Sequence, residues 1–226
     1  MANRVRAVIF DFDGLLMDTE STNVASWQAE YAAWGLELDM ERFFAPHGGN
    51  VTEHRHDVLA AAVGAAYDRE MSRTRRKAVR DQLNAALHLS TGIDAWLTQA
   101  HDAGLRTAVA SSATSAWVSR HLSHVDAIER FELVVGRPEV EEPKPSPRSY
   151  RLALHRLGLD SAEAVAVEDT AHGVDAAHAA GMTCIAIPNP YVDPSDVGHA
   201  DLVLRSAADC PLQEALARVS AAAASP

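Results

Sequence analysis

Short apolar runs recur along the chain at Val5 to Phe10, Thr107 to Ala110, Leu133 to Val135, Ala164 to Val167, Thr183 to Ile187 and Leu202 to Leu204, with helix-length segments between them. Strands alternating with helices in this way build βα units, so the expected fold class is α/β with a doubly wound parallel sheet. Ligands of such sheets sit in the crevice beyond the carboxyl ends of the strands. One interval breaks the rhythm. Residues 18–87 contain no convincing strand, and Gly92 is placed to open the helix that leads to the next unit. The expected organisation is a core of residues 1–17 and 88–226 with a helical domain, residues 18–87, inserted after the first strand. Within that insertion Trp27, Tyr31 and Trp34 recur at helical spacing before Gly35, which reads as a helix packed through its aromatics and closed by a glycine.

The first run ends on Asp11-Phe12-Asp13-Gly14. Residues i and i+2 of a strand point to the same side, so two carboxylates project together where the chain opens into a glycine turn. Like charges held this way call for a cation. Three further motifs fall at or after later strands: Val109-Ala110-Ser111-Ser112, Lys144-Pro145-Ser146-Pro147 and Val167-Glu168-Asp169-Thr170. Each has an ordinary structural explanation when taken alone. A serine between a strand and a helix serves as an N-cap, a lysine is normally solvated, and acidic residues before a helix complement its dipole. Their order along one chain is harder to explain that way.

The four motifs together resemble those of the haloacid dehalogenase superfamily, over nearly the whole chain. Asp18-Thr19-Glu20 and the helical insertion are similar to the branch that contains β-phosphoglucomutase and small-molecule phosphatases. The resemblance implies a Rossmann-like core with a helical cap. It also implies phosphoryl transfer in two displacements, a division that covalent catalysis makes possible. By resemblance, Asp11 is the nucleophile that forms an aspartyl-phosphate. Asp13 protonates the departing oxygen and then activates water. Ser111, with Ser112 as its nearest rival, holds a phosphoryl oxygen near a helix start, and Lys144 offsets charge on nucleophile and phosphate. Hard oxygen ligands beside a phosphate imply Mg²⁺, held by Asp11, the backbone carbonyl of Asp13 and Asp169, with Glu168 bound directly or through water. Gly173 and Gly181 fit the pattern that follows the last motif.

The resulting expectation is a Mg²⁺-dependent phosphatase of a small phosphorylated metabolite, a sugar phosphate among the candidates. The acid at Asp13 argues against a dehalogenase. A phosphomutase is the enzymatic alternative. In that group a hinge histidine helps align the acid, but the position falls near Asn23 here, and amides do not titrate. The arginine-bearing cap loop of the mutases has no clear counterpart in residues 47–53 either. A third reading, from another class, is a catalytically silent protein that binds a phosphometabolite. The family usually has glycine before the lysine of the third motif, where this chain has Glu141-Glu142-Pro143. In the insertion, His47, Asn50 and Arg55 are the candidate substrate contacts, beside a loop made tight by Gly48 and Gly49, and the basic run Arg73-Thr74-Arg75-Arg76-Lys77 reads as a solvated face or a phosphate-attracting one. His54 and His56 diverge on a helix and do not make a metal site.

Composition narrows the partners. With 31 acidic and 20 basic side chains the net charge is −11, which repels nucleic acid and anionic membranes. A phosphate site must therefore overcome the field locally with a metal, a lysine and backbone N–H groups. Cys184 and Cys210 show no metal or disulfide spacing and read as reduced thiols. With no leader-like start and no apolar run of membrane-spanning length, the expected location is the cytoplasm, as a monomer or small homo-oligomer.

Overall fold

The computed structural model describes residues 5–45 and 51–223. Two compact units are present, one made of Met1–Asp18 with His88–Pro226 and the other of Thr19–Leu87, so Asp18 falls with the sheet unit.

The helical unit comprises α1 (Thr19–Ala33), α2 (Met40–Phe44), α3 (Val51–Val63) and α4 (Arg69–Asn84). Local chemistry sets their ends. Gly35, at φ +69°, ends α1. Its N–H reaches Ala32 O at 2.9 Å and that of Leu36 reaches Tyr31 O at 3.0 Å, which satisfies carbonyls that the last turn would leave unpaired. Asp39 caps α2 through Arg42 N at 3.0 Å, and Asp68 caps α4 through Met71 N at 2.9 Å. Helices α1 and α4 are tied by Thr22 Oγ1 donating to Asn84 Oδ1 at 2.6 Å and by Arg75 Nη2 donating to the buried Glu30 at 2.6 Å. Trp27 and Tyr31 are buried, as their spacing predicts, and the half-buried Trp34 donates to Glu30 at 3.2 Å.

The other unit is built on β1 (Ala7–Phe10), β2 (Arg106–Thr114), β3 (Leu133–Arg137), β4 (Ala164–Glu168), β5 (Thr183–Ala186) and β6 (Leu202–Val203), in the order β3-β2-β1-β4-β5-β6 with every neighbouring pair parallel. The helices between them are α5 (Ile93–Asp102), α6 (Ser115–His124), α7 (Arg148–Leu157) and α8 (Ala171–Ala179), and α9 (Leu212–Ala223) follows β6. All four residues of β1 are buried. Parallel strands covered on both faces read as unbroken apolar runs rather than alternating ones, and burying Ile9 or Phe10 contributes about 1.5–3 kcal/mol each. Gly92 opens α5 at φ +86°, where an added Cβ would lie 2.3 Å from Ala208 N.

This is the doubly wound, Rossmann-like order. The chain moves outward from β1 through β2 to β3, then returns to β4 beside β1 and winds the other way. The register sets Phe10 beside both Val109 and Val167, so β1 and β4 end side by side at the reversal. Two strands outrun the expected bounds: β3 continues to Arg137, and β2 runs to Thr114 rather than ending at Ala110, with a register shift against β3 between those two residues. Among the described residues, no helix is long and apolar enough to cross a membrane.

Candidate active site

At the reversal point β1 delivers Asp11, and its N–H extends the ladder to Val167 O at 2.9 Å. The neighbouring β4 delivers Glu168 and Asp169. These three side chains are 7%, 1% and 2% exposed, and one oxygen from each lies within 4.8 Å of the others. Neither acid of β4 caps the following helix. That task falls to Thr170, whose hydroxyl accepts from Gly173 N at 3.2 Å, so the local explanation for Glu168-Asp169 is taken up by another residue.

Lys144 enters this acidic cluster from the loop before α7. Its ammonium donates to Asp11 Oδ1, to Glu168 Oε1 at 2.6 Å and to Ala110 O at 2.7 Å. Burial alone favours the neutral amine, but the Asp11 and Glu168 carboxylates outweigh it and raise the Lys144 pKa above the ordinary lysine value. The backbone of the loop is fixed as well, because Lys144 N donates to Ser112 Oγ at 3.1 Å. The Glu141-Glu142-Pro143 lead-in therefore does not prevent the lysine from reaching the acids.

One cation does not balance three buried carboxylates. The Glu168 pKa is raised, first by burial and further by Asp11, against the pull of Lys144. Asp169 is pushed well above the usual carboxylate range by burial, then by Asp11 and Glu168. Hard, anionic oxygens with surplus charge are the donor set that suits a hard divalent cation. Two supporting residues escaped the sequence reading. Asn189 donates to Asp169 Oδ2 at 2.7 Å, and Tyr150 donates its hydroxyl to Glu168 Oε1 at 2.6 Å, its pKa raised by burial beyond reach of neutral pH. The prolines flanking Asn189 are a faint signal of a fixed turn. Tyr150 carries none, being one more apolar-face residue of α7.

Glycines give the carboxylates room. Gly14, at φ +84°, lies where an added Cβ would be 2.2 Å from Asp169 Oδ2, and a Cβ on Gly173 would be 1.9 Å from Glu168 Oε2. The turn after β1 closes through Gly14 N to Met17 O at 2.9 Å. Within that turn Asp13 is half-buried and its Oδ1 accepts from Trp117 Nε1 at 3.2 Å.

Ser111 is buried, but not at a helix start. It lies inside the lengthened β2, its Oγ accepting from Ala113 N at 3.0 Å, while Thr114 caps α6 by accepting from Trp117 N at 3.2 Å. The correction has a simple cause. Pairing with β3 resumes at Thr114 with Arg137, which keeps the backbone extended past both serines.

The remaining candidates lie in the helical unit or outside the described residues. His47 and Asn50 belong to the latter. Arg55 stacks its guanidinium 3.6 Å from the Phe43 ring centroid and donates to Phe43 O at 3.2 Å. Of the basic run, Arg73 pairs with Glu53 and Lys77 with Asp81 as a solvated face would, while Arg75 pairs with the buried Glu30. Arg76 turns inward, 3.4 Å from the Trp27 ring centroid, and donates to Asn23 Oδ1 and Ser26 Oγ at 3.3 Å each. Cys184 and Cys210 are free and buried.

Comparison with known proteins converges on one family. The model for haloacid dehalogenase-like hydrolases matches residues 8–187. The YhcW protein of Bacillus subtilis (strain 168) is 33% identical over 186 residues, which cover 82% of this chain and 84% of that one. Fructose-1-phosphate phosphatase YqaB of Escherichia coli (strain K12) is 26% identical over 185 residues, covering 82% and 97%. Crystal structures of CbbY from Rhodobacter sphaeroides, one in complex with phosphate and one of a mutant with xylulose-(1,5)bisphosphate, match with a TM-score of 0.70 at 29% identity, covering 91% of this chain and 96% of theirs.

Proposed function

Since the chain belongs to the haloacid dehalogenase-like hydrolase family, we propose that it is a Mg²⁺-dependent phosphatase that hydrolyses a small phosphorylated metabolite, a sugar phosphate by class, through an aspartyl-phosphate on Asp11. The observation that carries this reading is the buried cluster of Asp11, Glu168 and Asp169 held against Lys144 at the reversal of the sheet. The relative YqaB, named a fructose-1-phosphate phosphatase, supports the substrate class.

Asp11 attacks phosphorus as the bond to the leaving oxygen breaks. Asp13 gives that oxygen a proton, then takes one from the water that attacks the aspartyl-phosphate, so the enzyme ends as it began. Ser111 Oγ already accepts from Ala113 N, which leaves its hydroxyl hydrogen for a phosphoryl oxygen. Ser112 braces the Lys144 loop beside it. Lys144 holds Asp11 by a charged hydrogen bond and lowers the repulsion an incoming phosphate meets. Asp11 and Asp169, the backbone carbonyl of Asp13 and Glu168 directly or through water are the groups that would hold Mg²⁺, which neutralises phosphoryl charge when bound.

Hydrolysis rather than a mutase reaction is supported by Asn23. It stands near the place of the mutase hinge histidine, and its side-chain oxygen is engaged by Arg76. The test is phosphate release from a panel of sugar phosphates, nucleotides and other small phosphoesters, with and without Mg²⁺. Selective, Mg²⁺-dependent release that disappears in Asp11→Asn is the expected result. Isomer conversion in the presence of a bisphosphate, without net phosphate release, would overturn the reading in favour of a phosphomutase.

A further inference from the structure

The contact between Trp117 and Asp13 spans 104 residues of sequence, and no motif points to it. Trp117 lies in the first turn of α6, where its backbone N–H is committed to the cap residue Thr114 at 3.2 Å and its ring N–H is turned to Asp13 Oδ1, also at 3.2 Å. The indole packs against His121, one turn further along the helix, with ring centroids 3.9 Å apart. His121 is buried, and its Nδ1 sits 2.9 Å from Trp117 O. A carbonyl only accepts, so this nitrogen carries the hydrogen. The His121 ring in turn lies 6.1 Å from Phe12, the residue just before Asp13. The donor and the backbone of its acceptor are therefore braced by one aromatic group.

An indole N–H donates and never accepts. Directed at Oδ1, it favours the form of Asp13 in which that oxygen bears no hydrogen and fixes the side chain in one rotamer. We propose that Trp117 is a positioning residue that makes Oδ2 the proton-carrying oxygen of Asp13. This rests on the phosphatase reading above. In the first displacement, the Asp11 oxygen bonds to phosphorus, the bond from phosphorus to the leaving oxygen breaks, and the Oδ2 proton passes to that oxygen. In the second, water bonds to phosphorus, the aspartyl ester bond breaks, and the proton of the water returns to Oδ2. Orientation of the reacting atoms controls such transfers steeply.

Trp117→Phe removes the N–H and keeps a ring for His121 to pack on. The role of an acid depends on the leaving group. An alkyl alkoxide must be protonated as it departs, whereas p-nitrophenolate leaves without help. The expected result is a fall of about tenfold or more in kcat/KM for a sugar phosphate, with a change of less than about threefold for p-nitrophenyl phosphate, because only the first requires a well-placed acid. Equal losses on both substrates, or no loss on either, overturn the proposal while leaving the phosphatase reading intact. A wild-type protein that turns over neither substrate overturns both. A second measurement does not depend on turnover. Of the indole ¹H–¹⁵N resonances given by the four tryptophans, the one that vanishes in Trp117→Phe is expected to move in Asp13→Ala. If it stays in place, the bond is not formed in solution and the proposal fails.

Discussion

Lys144 donates to Glu168 Oε1 at 2.6 Å, and the same oxygen receives the Tyr150 hydroxyl at 2.6 Å. The acid at the end of β4 is thus held by two donors from the segment that leads into and forms α7, while its other oxygen faces Gly173. The charge balance of the site depends on this bond. Lys144→Met would leave Asp11, Glu168 and Asp169 buried without a cation. Breaking a buried ion pair from one side costs about 3–5 kcal/mol. The expected outcome is a loss of unfolding free energy of about that size together with loss of turnover, checked by urea unfolding at neutral pH in the absence of divalent metal.

Gly173 is helical, and replacing a helical glycine with alanine ordinarily stabilises by up to about 1 kcal/mol. Here the sign reverses. The added methyl would sit 1.9 Å from Glu168 Oε2, and Tyr150 and Lys144 hold that side chain from the other end. Overpacking of this kind costs about 1–3 kcal/mol. Gly173→Ala is therefore expected to lower both the thermal midpoint and kcat. A gain in stability would show that Glu168 is free to move aside.

Metal binding should be visible in stability before any substrate is found. A ligand at 100 times its Kd adds about 2.7 kcal/mol to the folded state. Added Mg²⁺ should raise the melting temperature, and a chelator should return it to the starting value. In Asp169→Asn the rise should shrink or vanish, since one anionic ligand is gone and Asn189 faces an amide instead of a carboxylate. Calorimetric titration of the wild type and the variant gives the corresponding affinities.

His56, buried in the helical unit against Trp27, has its pKa lowered to about 4, chiefly by burial and then by Arg76. In the unfolded chain it titrates near its ordinary value, so between about pH 6.5 and 4 the unfolded state binds the proton and the folded state does not. Stability must fall as the pH falls through that window. The loss reaches about 3 kcal/mol below it, whereas above pH 6.5 the residue is neutral in both states and contributes no slope. His56→Gln should flatten this part of the pH dependence, measured as the unfolding midpoint from pH 7 to pH 4.

Much of the sheet was legible because its signals are local. The run Ala7-Val8-Ile9-Phe10 is a buried parallel strand on composition alone, and a left-handed glycine at 35 ends α1 where the spacing of Trp27 and Tyr31 stops. The strand ends that carry Asp11, Glu168 and Asp169 were legible for the same reason. Ser111 was placed less well. A serine pair followed by helix-forming residues looks like a cap, and only pairing of Thr114 with Arg137 keeps that stretch extended. Arg76 could not be told from its neighbours in the basic run, because which side of α4 faces inward depends on where α1 packs.

The sequence by itself determined the order of strands and helices, the helical insertion and the carboxylates that β1 and β4 deliver. These follow from hydrophobic runs, chain breakers and residue type within a few positions of one another. Tertiary structure alone decided which groups meet those carboxylates: Lys144 and Tyr150 on Glu168, Asn189 on Asp169, and Trp117 on Asp13. Each of these bonds joins residues that are near only because parallel strands lie side by side, β1 beside β2 and β4 beside β5, and the loops and helices after the strands return over their carboxyl ends. The direction of a side chain across such distances is a property of packing, and no local pattern encodes it.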